Sequence, residues 1–60
     1  MSITYSYGYE VRFADGSVIT NGLPYMVKEE AQMELNHTLE FFSENYPSLE
    51  ITRYKLTIMS

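Results

Sequence analysis

Apolar or aromatic residues occupy every odd position from Ile3 to Phe13 (Ile3, Tyr5, Tyr7, Tyr9, Val11, Phe13), while Thr4, Ser6, Gly8, Glu10 and Arg12 fill the even ones. A two-residue period held for that length specifies a long strand with one buried face, because a helix would scatter the same side chains around its circumference. Four of the six inward positions are aromatic. A single strand therefore supplies much of the material for the core.

The remaining elements follow from punctuation and period. Asp15-Gly16 reads as a two-residue hairpin turn, returning Ser17 to Thr20 beside the first strand. That register sets Ala14 opposite Ser17, Phe13 opposite Val18 and Val11 opposite Thr20. Val18 is then expected in the core and Ile19 on the outer face with Arg12. Asn21-Gly22-Leu23-Pro24 breaks the sheet.

A helix is expected from Val27 to Asn45, with Glu29 and Glu30 at the positive end of its dipole, no capping side chain at its start, and Tyr25-Met26 as a staple instead. Val27, Ala31, Leu35, Thr38, Leu39, Phe42 and Tyr46 form one stripe, and Glu29, Gln32, Asn36, Glu40 and Ser43 lie opposite. Pro47 stops the helix. In the last strand, Leu49 to Ile58, the apolar phase changes from odd (Leu49, Ile51) to even (Tyr54, Leu56, Ile58), which predicts a bulge near Thr52-Arg53. The expected fold class is α+β: one ββαβ domain over residues 1 to 60, with a three-stranded antiparallel sheet in order 2-1-3 and one helix on one face.

Sixty residues bury only about 60% of the surface that the unfolded chain exposes, so a supplement to the core is expected. Cysteine is absent, which removes disulfides and thiolate zinc sites and leaves a homo-oligomer, most simply a dimer. No leader or apolar span is legible, and the chain reads as soluble and cytoplasmic. Of the net charge of −4, residues 28 to 46 carry −4, with −1 before them and +1 after. Acidity concentrated on the helix argues against direct binding to nucleic acid or an anionic membrane, and favours a protein partner with a basic surface.

Chemistry-bearing patterns are few. Glu34 and His37 have the Glu-x-x-His spacing of di-iron bundles, but there is one copy where two are needed, and a solvated surface pair accounts for it. Asn36-His37-Thr38 matches a glycosylation acceptor inside a helix, where it is coincidental. Glu30 with Glu34, and Glu40 with Glu44, are i, i+4 pairs on a helix exterior, where carboxylates stay hydrated rather than divide acid and base roles. With His37 the sole imidazole and no cofactor motif, the chain does not read as an enzyme. Met33, His37 and Phe41, spaced i, i+4, i+8 and framed by Glu30, Glu34, Glu40 and Glu44, form instead a compact patch suited to protein contact. The short second strand is also expected to leave part of the first strand's edge, Ile3 to Tyr7, open to strand addition. Tyr5, Tyr7 and Tyr9 are expected beneath the helix with their hydroxyls at its rim.

The run Tyr9-Glu10-Val11-Arg12-Phe13-Ala14-Asp15-Gly16, then Lys28-Glu29-Glu30-Ala31, then Tyr46-Pro47-Ser48-Leu49-Glu50-Ile51 resembles the strand, turn, helix and strand layout of many short phage or prophage proteins. The resemblance is to that class and to no single family. It implies an accessory factor that binds and inhibits a host protein, host defence systems included. Three functions are therefore expected in competition: a protein interaction module using the helix exterior or a sheet edge, a DNA mimic, and an oligomeric small-ligand binder with Tyr, Arg12 or Arg53 lining intersubunit pockets.

Overall fold

A computed structural model describes residues 5 to 59, with side chains described to residue 58; Ile3 and Thr4 of the alternating run lie outside the described residues. Strand β1 spans Ser6–Phe13, β2 Val18–Thr20, helix α1 Lys28–Asn45 and β3 Ile51–Met59. The three strands form an antiparallel sheet in order β2-β1-β3, and α1 packs chiefly over β1. This is the ββαβ, α+β architecture that the periodicities predict.

The core lies between the odd residues of β1 and the expected helix stripe. Tyr9, Val11, Phe13, Ala31 and Leu35 are buried, with Ile19, Tyr25, Leu39, Phe42, Leu49, Ile51 and Leu56 packed around them. Tyr9 reaches the rim as expected, its hydroxyl 3.2 Å from Thr38 Oγ1. Tyr5, however, precedes β1 and is exposed. Val27 is the helix N-cap residue in an extended conformation, with no side-chain cap, and Val27 and Tyr46 at the two ends of the stripe are each 48% exposed. Tyr25 does not act with Met26 as a staple. It pairs with Tyr7 through two main-chain hydrogen bonds, 2.7 and 2.8 Å, and stacks on Tyr9, while Met26 is exposed.

The hairpin corrects the expected register. Arg12 faces Val18, Val11 faces Ile19 and Glu10 faces Thr20, so Ile19 joins the core side and Val18 lies on the open face, 44% exposed. A two-residue Asp-Gly turn needs positive φ at both residues. Here Gly16 has it, at 92°, and no non-glycine residue among the described ones does. The chain makes a three-residue loop: Gly16 N–H donates to the Phe13 carbonyl and Phe13 N–H to the Ser17 carbonyl, both at 3.0 Å. That is a type I turn closed by a glycine bulge. Asp15 Oδ1 stabilises it by accepting from Ser17 N–H at 2.8 Å and from Ser17 Oγ at 2.6 Å. One additional loop residue reverses the facing of every side chain in β2.

The β1–β3 ladder shifts between Arg12 and Phe13, where Arg12 faces Arg53 and Phe13 faces Ile51. Thr52 is the extra residue, and its hydroxyl donates to the Arg12 carbonyl at 3.3 Å. The predicted bulge therefore reconciles the two apolar phases of the last strand. Leu49 precedes β3 rather than opening it, yet still packs on the core.

At Tyr7 and Tyr9 the edge of β1 beyond β2 is taken up by the chain itself, whereas Ile3 and Thr4 of the edge expected to stay open lie outside the described residues. Tyr25 pairs with Tyr7, and Asn21 Oδ1 accepts from Tyr9 N–H at 3.0 Å while Asn21 Nδ2 donates to the Leu23 carbonyl at 2.7 Å. An amide side chain thus continues the ladder where β2 stops. It lies across Gly8, where a Cβ would collide with Asn21 Oδ1 and sit 2.9 Å from Thr57 Oγ1. Gly8 is where it is because the Asn21 side chain needs that space.

Candidate functional site

Two faces of the molecule carry opposite charge. On the helix exterior Glu29, Glu30, Glu40 and Glu44 are exposed and Glu34 is half-buried. On the open face of the sheet, strand pairing gathers Arg12, Arg53 and Lys55 around Glu10, since Arg12 faces Arg53 and Glu10 faces Lys55. Among the described residues the ion pairs are Glu10 with Arg12 (3.4 Å) and Glu10 with Lys55 (3.8 Å). Among the described residues none of the helix glutamates forms an ion pair. Sequence reading missed the basic group because its members come from opposite ends of the chain. The signal was available in the outward-facing positions of β1 and β3.

Glu10 holds this basic group together. Its hydrogen bond from Arg12 is the main cause that keeps its carboxyl below the ordinary value of 4.5; partial burial opposes the shift, and the charges of Arg12 and Lys55 reinforce it. Asp15 lies below its ordinary 3.8 because it accepts from the Ser17 hydroxyl and then from Ser17 N–H. For both groups the unfolded chain binds more protons than the folded one between the lowered folded value and the ordinary one. Their stabilisation is therefore present above pH 4.5 and is lost as pH falls through the folded values. Melting temperature should fall on acidification below about pH 4.5, and Glu10→Gln should flatten that fall. Identical pH profiles for the two proteins would remove Glu10 from the account.

The expected contact residues fall in three places. Glu30 and Glu34 lie near Tyr25, whose phenol is raised above its ordinary value of 10.0, first by burial and then by the charge of Glu34, with smaller effects from Tyr9 and Glu30. His37, Glu40, Phe41 and Glu44 line one shallow depression of about 320 Å³ with Asn45, whose Nδ2 donates to the Phe41 carbonyl at 2.9 Å. Met33 stands exposed on the helix exterior.

Phe41 is both anchored and presented. It meets Phe42 edge-on with centroids 5.2 Å apart and lies 6.0 Å from Tyr46, and Phe42 in turn packs on Phe13 at 5.3 Å. Half of Phe41 nevertheless remains exposed, at 51%. An aromatic side chain held by its neighbours loses little freedom when a partner covers it.

A second cleft of about 390 Å³, on the open sheet face, is lined in part by Ser6, Glu10, Thr20, Asn21 and Thr57. Its Asn21 amide is committed to Tyr9 and Leu23, and its Glu10 carboxylate to Arg12 and Lys55. Among the described residues no three His, Cys, Asp or Glu side chains are grouped to hold a metal ion. No helix among them is long and apolar enough to cross a membrane.

Comparison with protein-family models, curated proteins and solved structures gives no match. The site therefore rests on its own geometry.

Proposed function

We propose that the chain is a protein interaction module that seats its acidic helix exterior on a basic surface of another protein. The supporting observation is Phe41, half-exposed yet held by Phe42 and Tyr46, in a depression edged by His37, Glu40 and Glu44. An apolar anchor ringed by charge is the usual anatomy of a protein contact: the ring supplies affinity on burial and the glutamates supply steering and orientation. Met33 extends the apolar part, and Glu30 and Glu34 extend the acidic border. The resemblance to short phage accessory proteins makes inhibition of a host protein in the cytoplasm the role such a contact would serve.

DNA mimicry would use the same glutamates without the ring. The two readings separate in a capture experiment from bacterial lysate at 0.1 and 0.5 M salt with the parent chain, Phe41→Ala, and the triple variant Glu29→Gln, Glu34→Gln, Glu40→Gln, each checked for unchanged circular dichroism. The interaction module predicts a stoichiometric protein retained at both salts, and lost at least tenfold with Phe41→Ala. Loss with the glutamine variant alone, together with release at high salt, would establish mimicry instead. Capture indifferent to both variants would remove the helix exterior from the function.

A further inference from the structure

We propose that two copies of this chain pair antiparallel through their β3 edges, with Leu56 opposite Leu56, to form a continuous six-stranded sheet. β3 is an edge strand of nine residues, whereas the opposite edge, β2, has three. The direction of its main-chain groups follows from β1. Tyr7, Tyr9 and Phe13 bond towards the β2 side, to Tyr25, Asn21 and Ser17. Gly8, Glu10 and Arg12 therefore bond to their β3 partners Thr57, Lys55 and Arg53, and the N–H and C=O groups of Tyr54, Leu56 and Ile58 point off the free edge.

The same three residues carry the apolar side chains on the helix side of the sheet, opposite Val11, Tyr9 and Tyr7. The helix sits over β1 and leaves β3 largely uncovered, so Tyr54 is 57% and Ile58 68% exposed. Among the described residues five hydrophobic side chains are buried, a small core for a chain of this length. A core this size is the condition under which assembly supplies the missing burial.

Charge on the open face selects the register. Centring the two-fold on Lys55 would place Lys55 opposite Lys55, and centring it on Tyr54 would place Arg53 opposite Lys55; like charges directly opposite are destabilising. Centring it on Leu56 sets Lys55 opposite Thr57 and Tyr54 opposite Ile58. All six apolar side chains, Tyr54, Leu56 and Ile58 from each copy, then lie side by side on the helix side, and the outward main-chain groups bond in pairs. A register centred on Thr57 also separates the lysines but shortens the paired segment.

The test is the mass of the full chain by sedimentation equilibrium between 1 and 100 µM at 0.15 M salt, with the parent and Ile58→Pro. Ile58 contributes its N–H to no bond within the sheet of one copy, so proline there leaves the protomer's ladder intact and blocks only the edge. The expected result is twice the 7.0 kDa chain mass for the parent, and at least thirtyfold weaker association for Ile58→Pro with an unchanged circular dichroism spectrum. Register is read by mixing Lys55→Cys with Thr57→Cys and oxidising: the mixed disulfide should form in preference to either self-disulfide. A parent that is monomeric at 100 µM, one that grows beyond the dimer, a dimer indifferent to Ile58→Pro, or preferential Thr57→Cys self-crosslinking would each overturn the proposal.

Discussion

Replacing Gly8 by alanine is expected to remove of order 2 kcal/mol of stability, because the added methyl displaces the Asn21 amide from Tyr9 N–H and leaves a part-buried donor unpaired. The collision is with Asn21 Oδ1, and Thr57 Oγ1 at 2.9 Å leaves the methyl little room on the other side. Total stability for a chain of 60 residues is about 3 to 9 kcal/mol, so the loss should be visible as a large drop in urea midpoint. The mechanism has its own control. In an Asn21→Ala background the obstructing amide is gone, and Gly8→Ala should be much milder there than in the parent. Additive effects in that double-mutant cycle would show that Gly8 is required for some other reason.

Leu35→Ala should be more damaging still. Leu35 is 2% exposed and lies in the cluster with Tyr9, Val11 and Phe13. Truncating a buried leucine costs about 2 to 5 kcal/mol in lost transfer energy and residual cavity. Against the stability range above, the variant should be largely unfolded near 37 °C, with a collapsed urea midpoint and an unchanged slope. Protein concentration must be held fixed in that comparison, since the proposed self-association would add to apparent stability. A loss below about 1 kcal/mol would mean that Leu35 is not enclosed as described. By contrast, Met33→Ala, at a site 56% exposed, should leave the midpoint nearly unchanged.

What the sequence revealed and what it concealed divide by the range of the interactions. The alternation of β1, the helix stripe centred on Ala31 and Leu35, and the phase slip at Thr52 are local patterns, and each appears in the fold where its period places it. The hairpin register was ambiguous because Asp-Gly serves two turn types. Whether Ala14 belongs to the strand or to the loop decides which of Val18 and Ile19 enters the core. The lock between Gly8 and Asn21 joins positions far apart in sequence without any repeating pattern. The basic cluster of Arg12, Arg53 and Lys55 depends on a register that the Thr52 bulge sets. At the candidate site, the grouping of His37, Phe41, Glu40 and Glu44 was legible from helical spacing alone. The support of Phe41 by Tyr46 was not, because Tyr46 lies beyond the last helical residue and its position depends on how the chain leaves the helix.

The placement of cations on the sheet's open face and glutamates across the helix gives the molecule an electric dipole directed from helix to sheet. A basic body approaching in solution exerts a torque on such a dipole as well as a pull on the net charge, and turns the helix towards itself before contact. Encounters should therefore begin already oriented, and ionic strength should act on the rate of association more than on the lifetime of the complex. An acidic body would turn the same molecule the other way round and meet the sheet.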